Sequence, residues 1–338
     1  MERKTAWSLA GHAGEARPDG MQRLLTAAKW DEDLVRDDLR GNVTAALGDP
    51  GGVLIDRELY LPRSWTGDQA RLAAAKVPGK RDFKTKPQLL RAMIERAIAA
   101  GVPFGWVTAD EACGDNGPLR EFLEEQKLAY VLAVSRDQAI TTKAGTWRAD
   151  AMAAAIPGAA WQRISCGDGA KGRRYYDWVL AATDRPEVSL LVRRSIARPS
   201  ELAFYLCHAP QPVPLARLVQ VAGARWAVEE CFQAGKNEAG LDHYQVRLYK
   251  AWYRYVTLSM LALAWLAVTR VALADAPAPG LPPEARLITS ANEIRRMLAA
   301  LCSQPPDARH ARRWSRWRHR HQERARYCHY QRQRRQDH

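Results

Sequence analysis

The chain has 338 residues and carries 51 Lys plus Arg against 37 Asp plus Glu, a formal charge of +14. That balance favours a polyanionic partner and by itself fixes no fold. The six cysteines are scattered and form no CxxC pair, which excludes a disulfide framework and fits a reducing cytoplasm. Met1-Glu-Arg-Lys-Thr5 lacks the apolar run of a secretory signal.

In chain order, residues 5–47 read as helical, with Pro18 opening one helix and Asp31 capping the next after Trp30. Gly48-Asp-Pro-Gly-Gly52 breaks that pattern, and Val53 to Leu61 reads as a strand. Pro62 to Lys86 reads as loop with a short helix, and Pro87 to Ala100 as an amphipathic helix ended by Gly101. Val102–Thr108 and Tyr130–Ser135 are short apolar runs of the kind found in buried parallel strands, joined by a helix over Leu119–Gln126. This predicts a βαβ unit with Asp110 just past the carboxyl end of its first strand, where open α/β sheets place their sites. An ordinary turn or N-cap aspartate is the alternative for Asp110.

Several short β runs follow between Trp147 and His208, with Gly167–Arg174 as a hairpin turn of basic tip. That glycine-containing turn is not a phosphate loop, because no strand-then-helix context surrounds it. Tyr255 to Thr269 is uncharged but shorter than the roughly 17–25 residues of a bilayer span, so a core helix packing the preceding helix onto the sheet is expected. Residues 275–283 read as a Pro-rich linker ahead of a helical, basic segment. From Arg309 to His338 eleven Arg stand against Glu323 and Asp337, interleaved with Trp314, Trp317, Tyr327 and Tyr330. Arginine forks onto phosphates beside aromatic rings suit nucleic acid, and Arg312, Arg313, Arg316 and Arg318 are the candidate contacts. A solvated tail serving solubility is the plain alternative. His319, His321, Cys328 and His329 do not have zinc-finger spacing.

The most informative segment is Arg225-Trp-Ala-Val-Glu229-Glu230-Cys-Phe-Gln-Ala-Gly-Lys236. On a helix, positions 225, 229 and 236 lie nearly above one another. Val221, Ala224, Val228, Cys231 and Phe232 are expected to form the adjoining buried face, leaving Glu229 at its rim. A rim carboxylate between two cations can hold a metal while the cations meet phosphates; a surface Arg–Glu pair four apart is the simpler reading.

The Arg, three residues, Glu, six residues, Lys spacing resembles the segment around the last acidic residue of bacterial insertion-sequence transposases of the DDE class. Ala222 stands where that family has Tyr. Phe104-Gly-Trp-Val-Thr-Ala-Asp110-Glu-Ala-Cys-Gly114 looks like the strand and tip bearing the family's second Asp. Ile55-Asp-Arg-Glu-Leu-Tyr-Leu-Pro62, Gly240-Leu-Asp-His-Tyr-Gln-Val246 and Trp314-Ser-Arg-Trp317 are similar as well, so the likeness spans about residues 5 to 330. It implies an α/β, RNase H-like mixed sheet with flanking helices and a β-rich insertion at about 147–212. The DDE unit would occupy 49–274, between a helical segment at 1–48 and the basic segment at 284–338. It further implies two Mg²⁺ or Mn²⁺ ions held by three carboxylates, with Asp110 and Glu229 as two of them, and Arg225 and Lys236 on phosphates. Glu230 points elsewhere on the helix. Double-stranded DNA, both element ends and target, would be the partner, with a homodimer acting in the bacterial cytoplasm, at the nucleoid, and away from any membrane.

The first aspartate departs from the family. There it follows a strand like Gly-Val-Leu-Ile-Val, and two further strands precede the Ile-Asp-Arg-Glu block. Here Gly52-Val-Leu-Ile55 runs straight into Asp56-Arg-Glu-Leu-Tyr-Leu-Pro62, as a deletion between two similar Leu-Ile ends would produce. The sheet is therefore expected to lack strands, and an N-terminal portion to be missing as well. Asp56 is the one candidate replacement, but the family's Asp aligns with Arg57, and a one-residue offset turns a strand side chain to the other face. Catalytic impairment is the expectation. A DNA-binding protein without catalysis and a nuclease that cuts without strand transfer are the rival functions.

Overall fold

A computed structural model describes residues 4–47, 53–79, 81–169, 172–274, 289–302 and 307–336. The expected breaks at 48–52 and 275–283 and the tip of the basic hairpin lie outside those residues.

The N-terminal helices are α1 (Ala6–His12), α2 (Asp19–Thr26) and α3 (Glu32–Leu47). Pro18 is the N-cap of α2, and Asp31 Oδ1 accepts the amides of Asp33 and Leu34 to start α3. Val53 to Leu61 has no regular secondary structure and belongs to no ladder, which corrects the expected strand. Its apolar start, Val53-Leu54-Ile55, packs on Leu39 and Val43 of α3 instead of on a neighbouring strand. Two short helices follow, α4 (Arg63–Thr66) and α5 (Gln69–Ala74), then α6 (Lys86–Ala99). A capping box between Thr85 and Gln88 opens α6, and Gly101 beyond its end takes φ +66°.

The sheet begins with β1 (Trp106–Ala109), shorter than the apolar run that foretold it, followed by α7 (Glu111–Gly114), α8 (Gly117–Glu125) and β2 (Ala129–Val134). β1 and β2 are parallel, as expected for the βαβ unit. A Cβ on Gly114 would lie 1.8 Å from the Ala133 carbonyl oxygen, so α7 can press on β2 only with glycine there. A small hairpin, β3 (Ala139–Thr142) and β4 (Gly145–Arg148), and α9 (Ala149–Ala154) come next. Four antiparallel strands follow: β5 (Gln162–Gly169), β6 (Gly172–Ala182), β7 (Val188–Arg194) and β8 (Leu202–His208).

These four strands do not make a layer of their own. They continue the same mixed sheet in the order β1-β2-β8-β7-β6-β5, with β8 antiparallel to β2. The architecture is α/β and consistent with an RNase H-like fold. Alternate residues divide between the two faces: Leu191, Tyr205 and Cys207 point into one core, Leu190, Val192, Phe204 and Leu206 into the other. Burial on both faces explains the unbroken apolar runs of β7 and β8. Each fully buried Leu contributes on the order of 1.5–3 kcal/mol.

The first face is covered by α10 (Leu215–Ala234), which continues into a π-turn at Gly235–Ala239. α11 (Tyr249–Ala274) then packs against α2, α3 and the π-turn. It thus lies mainly on the N-terminal helices and meets α10 near its end, where Leu263 shares a core with Cys231 and Ala234, instead of packing the whole of α10 onto the sheet as expected. The helix is also longer than its uncharged run, and by length and composition it is apolar enough to cross a bilayer. Its Arg254, 2% exposed, is held by Glu32 Oε2 at 3.3 Å and by the carbonyls of Ala28 and Trp30. Nε and Nη2 are thus partnered, while Nη1 is buried without a partner among the described residues. A buried cation paired in this way suits a helix packed within protein. The chain ends with α12 (Ala291–Cys302) and α13 (Ala308–Gln336).

Candidate active site and nucleic-acid surface

Asp110 follows the last residue of β1 and is the N-cap of α7, with φ −77° and ψ 174°. Its carbonyl accepts the amides of Cys113 and Gly114, while its exposed carboxylate makes no capping bond. Beside it, burial and then the Asp110 charge push the Cys113 thiol up to about 11. Cys113 is therefore a neutral thiol at physiological pH and no nucleophile.

α10 packs on β1, β2, β5 and β6, so the elements bearing Asp110 and Glu229 touch. Its close seat on β5 depends on Gly223, where a Cβ would sit 1.8 Å from the Cys166 carbonyl oxygen. The buried face is Leu218, Val219, Val221, Ala222, Gly223 and Cys231. Val221 and Cys231 match the expected face, but Ala224, Val228 and Phe232 are exposed. Helix α10 carries its apolar residues all round at this end, so spacing alone does not choose the inner side.

Glu229 is 60% exposed and meets Arg225 at 3.8 Å. Lys236 is also exposed, but it stands in the π-turn, where the helix has begun to unwind. Glu230 accepts the Trp226 indole N–H at 3.1 Å and is thus engaged away from Glu229. Arg174 of β6 lies over the Trp226 ring and bonds the Gly223 carbonyl at 3.1 Å, tying the hairpin to the helix.

Asp56 has a different environment. Its carboxylate, 10% exposed, takes Arg96 Nε at 2.8 Å on one oxygen. The other oxygen accepts the Arg57 amide at 2.8 Å and lies 3.7 Å from Arg36. Arg96 also bonds Glu58 at 2.8 Å. Arg57 is 6% exposed and bonds Asp33 and the Glu32 carbonyl. Two arginines thus satisfy Asp56. Among the described residues no three of His, Cys, Asp and Glu gather at metal-holding spacing. Of the expected ligands, Asp110 and Glu229 are the two exposed carboxylates, Glu229 lying 3.8 Å from Arg225. Such a set does not fit a two-ion site, which needs a third carboxylate.

The C-terminal arginines form a second candidate surface. Arg312, Arg313 and Arg316 line one hollow on α13 together with Arg309, Arg320 and Trp317. Arg318 is exposed but does not line it, standing on another side of the helix. Arg309 and Arg320 were absent from the sequence candidates, although the three- and four-residue spacing from Arg309 to Arg320 was there to read. Arg36 and Arg96, the partners of Asp56, left no signal in sequence because they come from separate helices.

Residues 51–155 match the family model described as DDE superfamily endonuclease. The matched span includes Asp56 and Asp110 and stops ahead of α10. No curated protein matches the chain. The match supports a protein of DDE transposase type, with nuclease or transposase chemistry in general terms and DNA as its substrate. Endonucleases of that superfamily generally use divalent metal ions.

Proposed function

We propose that this chain is a DDE transposase by descent which retains DNA binding and has lost efficient strand cleavage and transfer. The observation that carries the reading is the Asp56 carboxylate, paired with Arg96 at 2.8 Å and next to Arg36. A ligand held this way must give up its cations before it can take a metal, and Arg57 beside it is itself a buried cation. Asp110 and Glu229 would hold at most a single Mg²⁺ or Mn²⁺, with Arg225 and Lys236 set toward phosphates. The unit would comprise residues 49–274, flanked by the helical start at 1–48 and the basic end at 284–338. It would work in the bacterial cytoplasm on duplex DNA, and pairing of two ends would call for a homodimer.

A plasmid assay separates the readings. Incubation of supercoiled DNA with protein and Mg²⁺ or Mn²⁺ should leave it unnicked, while gel retardation in EDTA persists. Metal-dependent nicking that vanishes in Asp110→Asn would overturn the proposal. Strand joining would then mark a transposase, and nicking alone a nuclease.

A further inference from the structure

We propose that α13 is a metal-independent duplex-DNA rail, whose aromatic face fixes it to α1 while its arginine face follows the phosphate backbone. The choice of DNA as the polyanion rests on the function proposed above; the rail itself does not depend on the carboxylates of α10 or β1.

Two stripes run along this helix. His310, Trp314, Trp317 and His321 recur at spacings of four, three and four, and their rings stack at 6.1, 5.4 and 5.3 Å. Trp7 of α1 lies 4.9 Å from both Trp317 and His321. His310 Nε2 is 3.2 Å from the Gly11 carbonyl oxygen, and a Cβ on Gly11 would come within 2.9 Å of the Trp314 indole nitrogen. These contacts determine which way the rest of α13 faces.

At 100° per residue, Arg309, Arg312, Arg313, Arg316, Arg320 and Arg324 fall on the neighbouring face. Five of them, with the edge of Trp317, surround a hollow of about 650 Å³ that no carboxylate lines. The one acid within the described part of α13, Glu323, is paired with Arg326 at 2.7 Å. Arg309 and Arg313, Arg312 and Arg316, and Arg316 and Arg320 are like charges four apart, which weaken a helix. A polyanion along this face would remove that repulsion. Guanidinium forks match phosphate oxygens in pairs.

Duplex fits better than single strand. Residues 309–324 rise about 22 Å, roughly six base pairs of backbone. The ring of Trp317 is engaged in the stack, so the hollow offers no free platform of the kind single-strand binders use for bases.

The test is fluorescence anisotropy of the full chain on a labelled 20-bp DNA duplex in EDTA, from 50 to 200 mM KCl. With about six phosphates neutralised, the log–log slope should be about −5, a loss of roughly 10³-fold over that range. The triple variant Arg312→Gln/Arg316→Gln/Arg320→Gln should shrink the slope by about 2.7 units. The matching triple lysine variant should keep it, and so should Arg198→Gln, an exposed control on the β7–β8 loop. Circular dichroism checks that α13 stays helical. A flat salt response, an unchanged slope in the triple glutamine variant, or tighter binding to RNA duplex or single-stranded DNA would overturn the proposal. Failure to nick plasmid leaves the rail standing, whereas a flat slope overturns it without touching the outcome of the nicking assay.

Discussion

Asp56→Asn distinguishes a structural carboxylate from a metal ligand. The substitution keeps side-chain size and can still accept the Arg57 amide, so it removes little but the charge. Stripping one member from a buried ion pair costs about 3–5 kcal/mol when its partner is stranded. Here neither arginine is stranded: Arg96 keeps Glu58 at 2.8 Å, and Arg36 keeps Asp37 at 2.7 Å and Asp33 at 3.1 Å. Arg96 is also 30% exposed, which lets water take up part of the loss. The expected cost is therefore nearer ~2 kcal/mol, or about 3 °C in melting midpoint for a chain of this length. Chemical denaturation of Asp56→Asn, Arg96→Gln and the double variant should give a coupling of about 1 kcal/mol or more. Mn²⁺ uptake, followed by electron paramagnetic resonance, should match the parent protein. An unchanged midpoint together with lost Mn²⁺ uptake would refute the reasoning and return Asp56 to the metal site.

Glu229→Gln should behave oppositely. With 60% exposure and a single 3.8 Å pairing, its loss should alter stability by no more than about 0.5 kcal/mol in a urea titration; a larger drop would make Glu229 structural. Gly223→Ala and Gly114→Ala should each destabilise by about 3 kcal/mol or more, since backbone at 1.8 Å has to move. Soluble yield and denaturation midpoints test this, and near-parent stability would mean that α10 or α7 sits farther from the sheet. In native protein at pH 8, exposed Cys328 should be alkylated well before Cys113, Cys207 or Cys231, as read by peptide mass mapping. Burial raises Cys113 and Cys231 to about 11 from an ordinary value of 9.0. Their protonated thiols therefore contribute stability that is complete below pH 9 and is lost as pH rises through 11. Midpoints that stay level across that window would contradict the burial of these thiols.

What the sequence determined is local or periodic. The capping of α3 by Asp31, the βαβ unit around Asp110 and the apolar runs of β7 and β8 depend on neighbours a few residues away, or on burial so complete that no alternation survives. The charge of α13 was equally plain, because composition needs no fold to be counted. Tertiary structure decided whatever needs a distant partner. Val53–Leu61 has strand composition, but a strand requires a second strand beside it, and this segment found α3 instead. Asp56 was a free carboxylate until Arg36 and Arg96 arrived from separate helices. Which apolar residues of α10 face inward was set by contact with β5 at Gly223, and the side that α13 turns outward was set by Trp7 and Gly11. Periodicity limits a side chain to a stripe, and only packing chooses which stripe meets water.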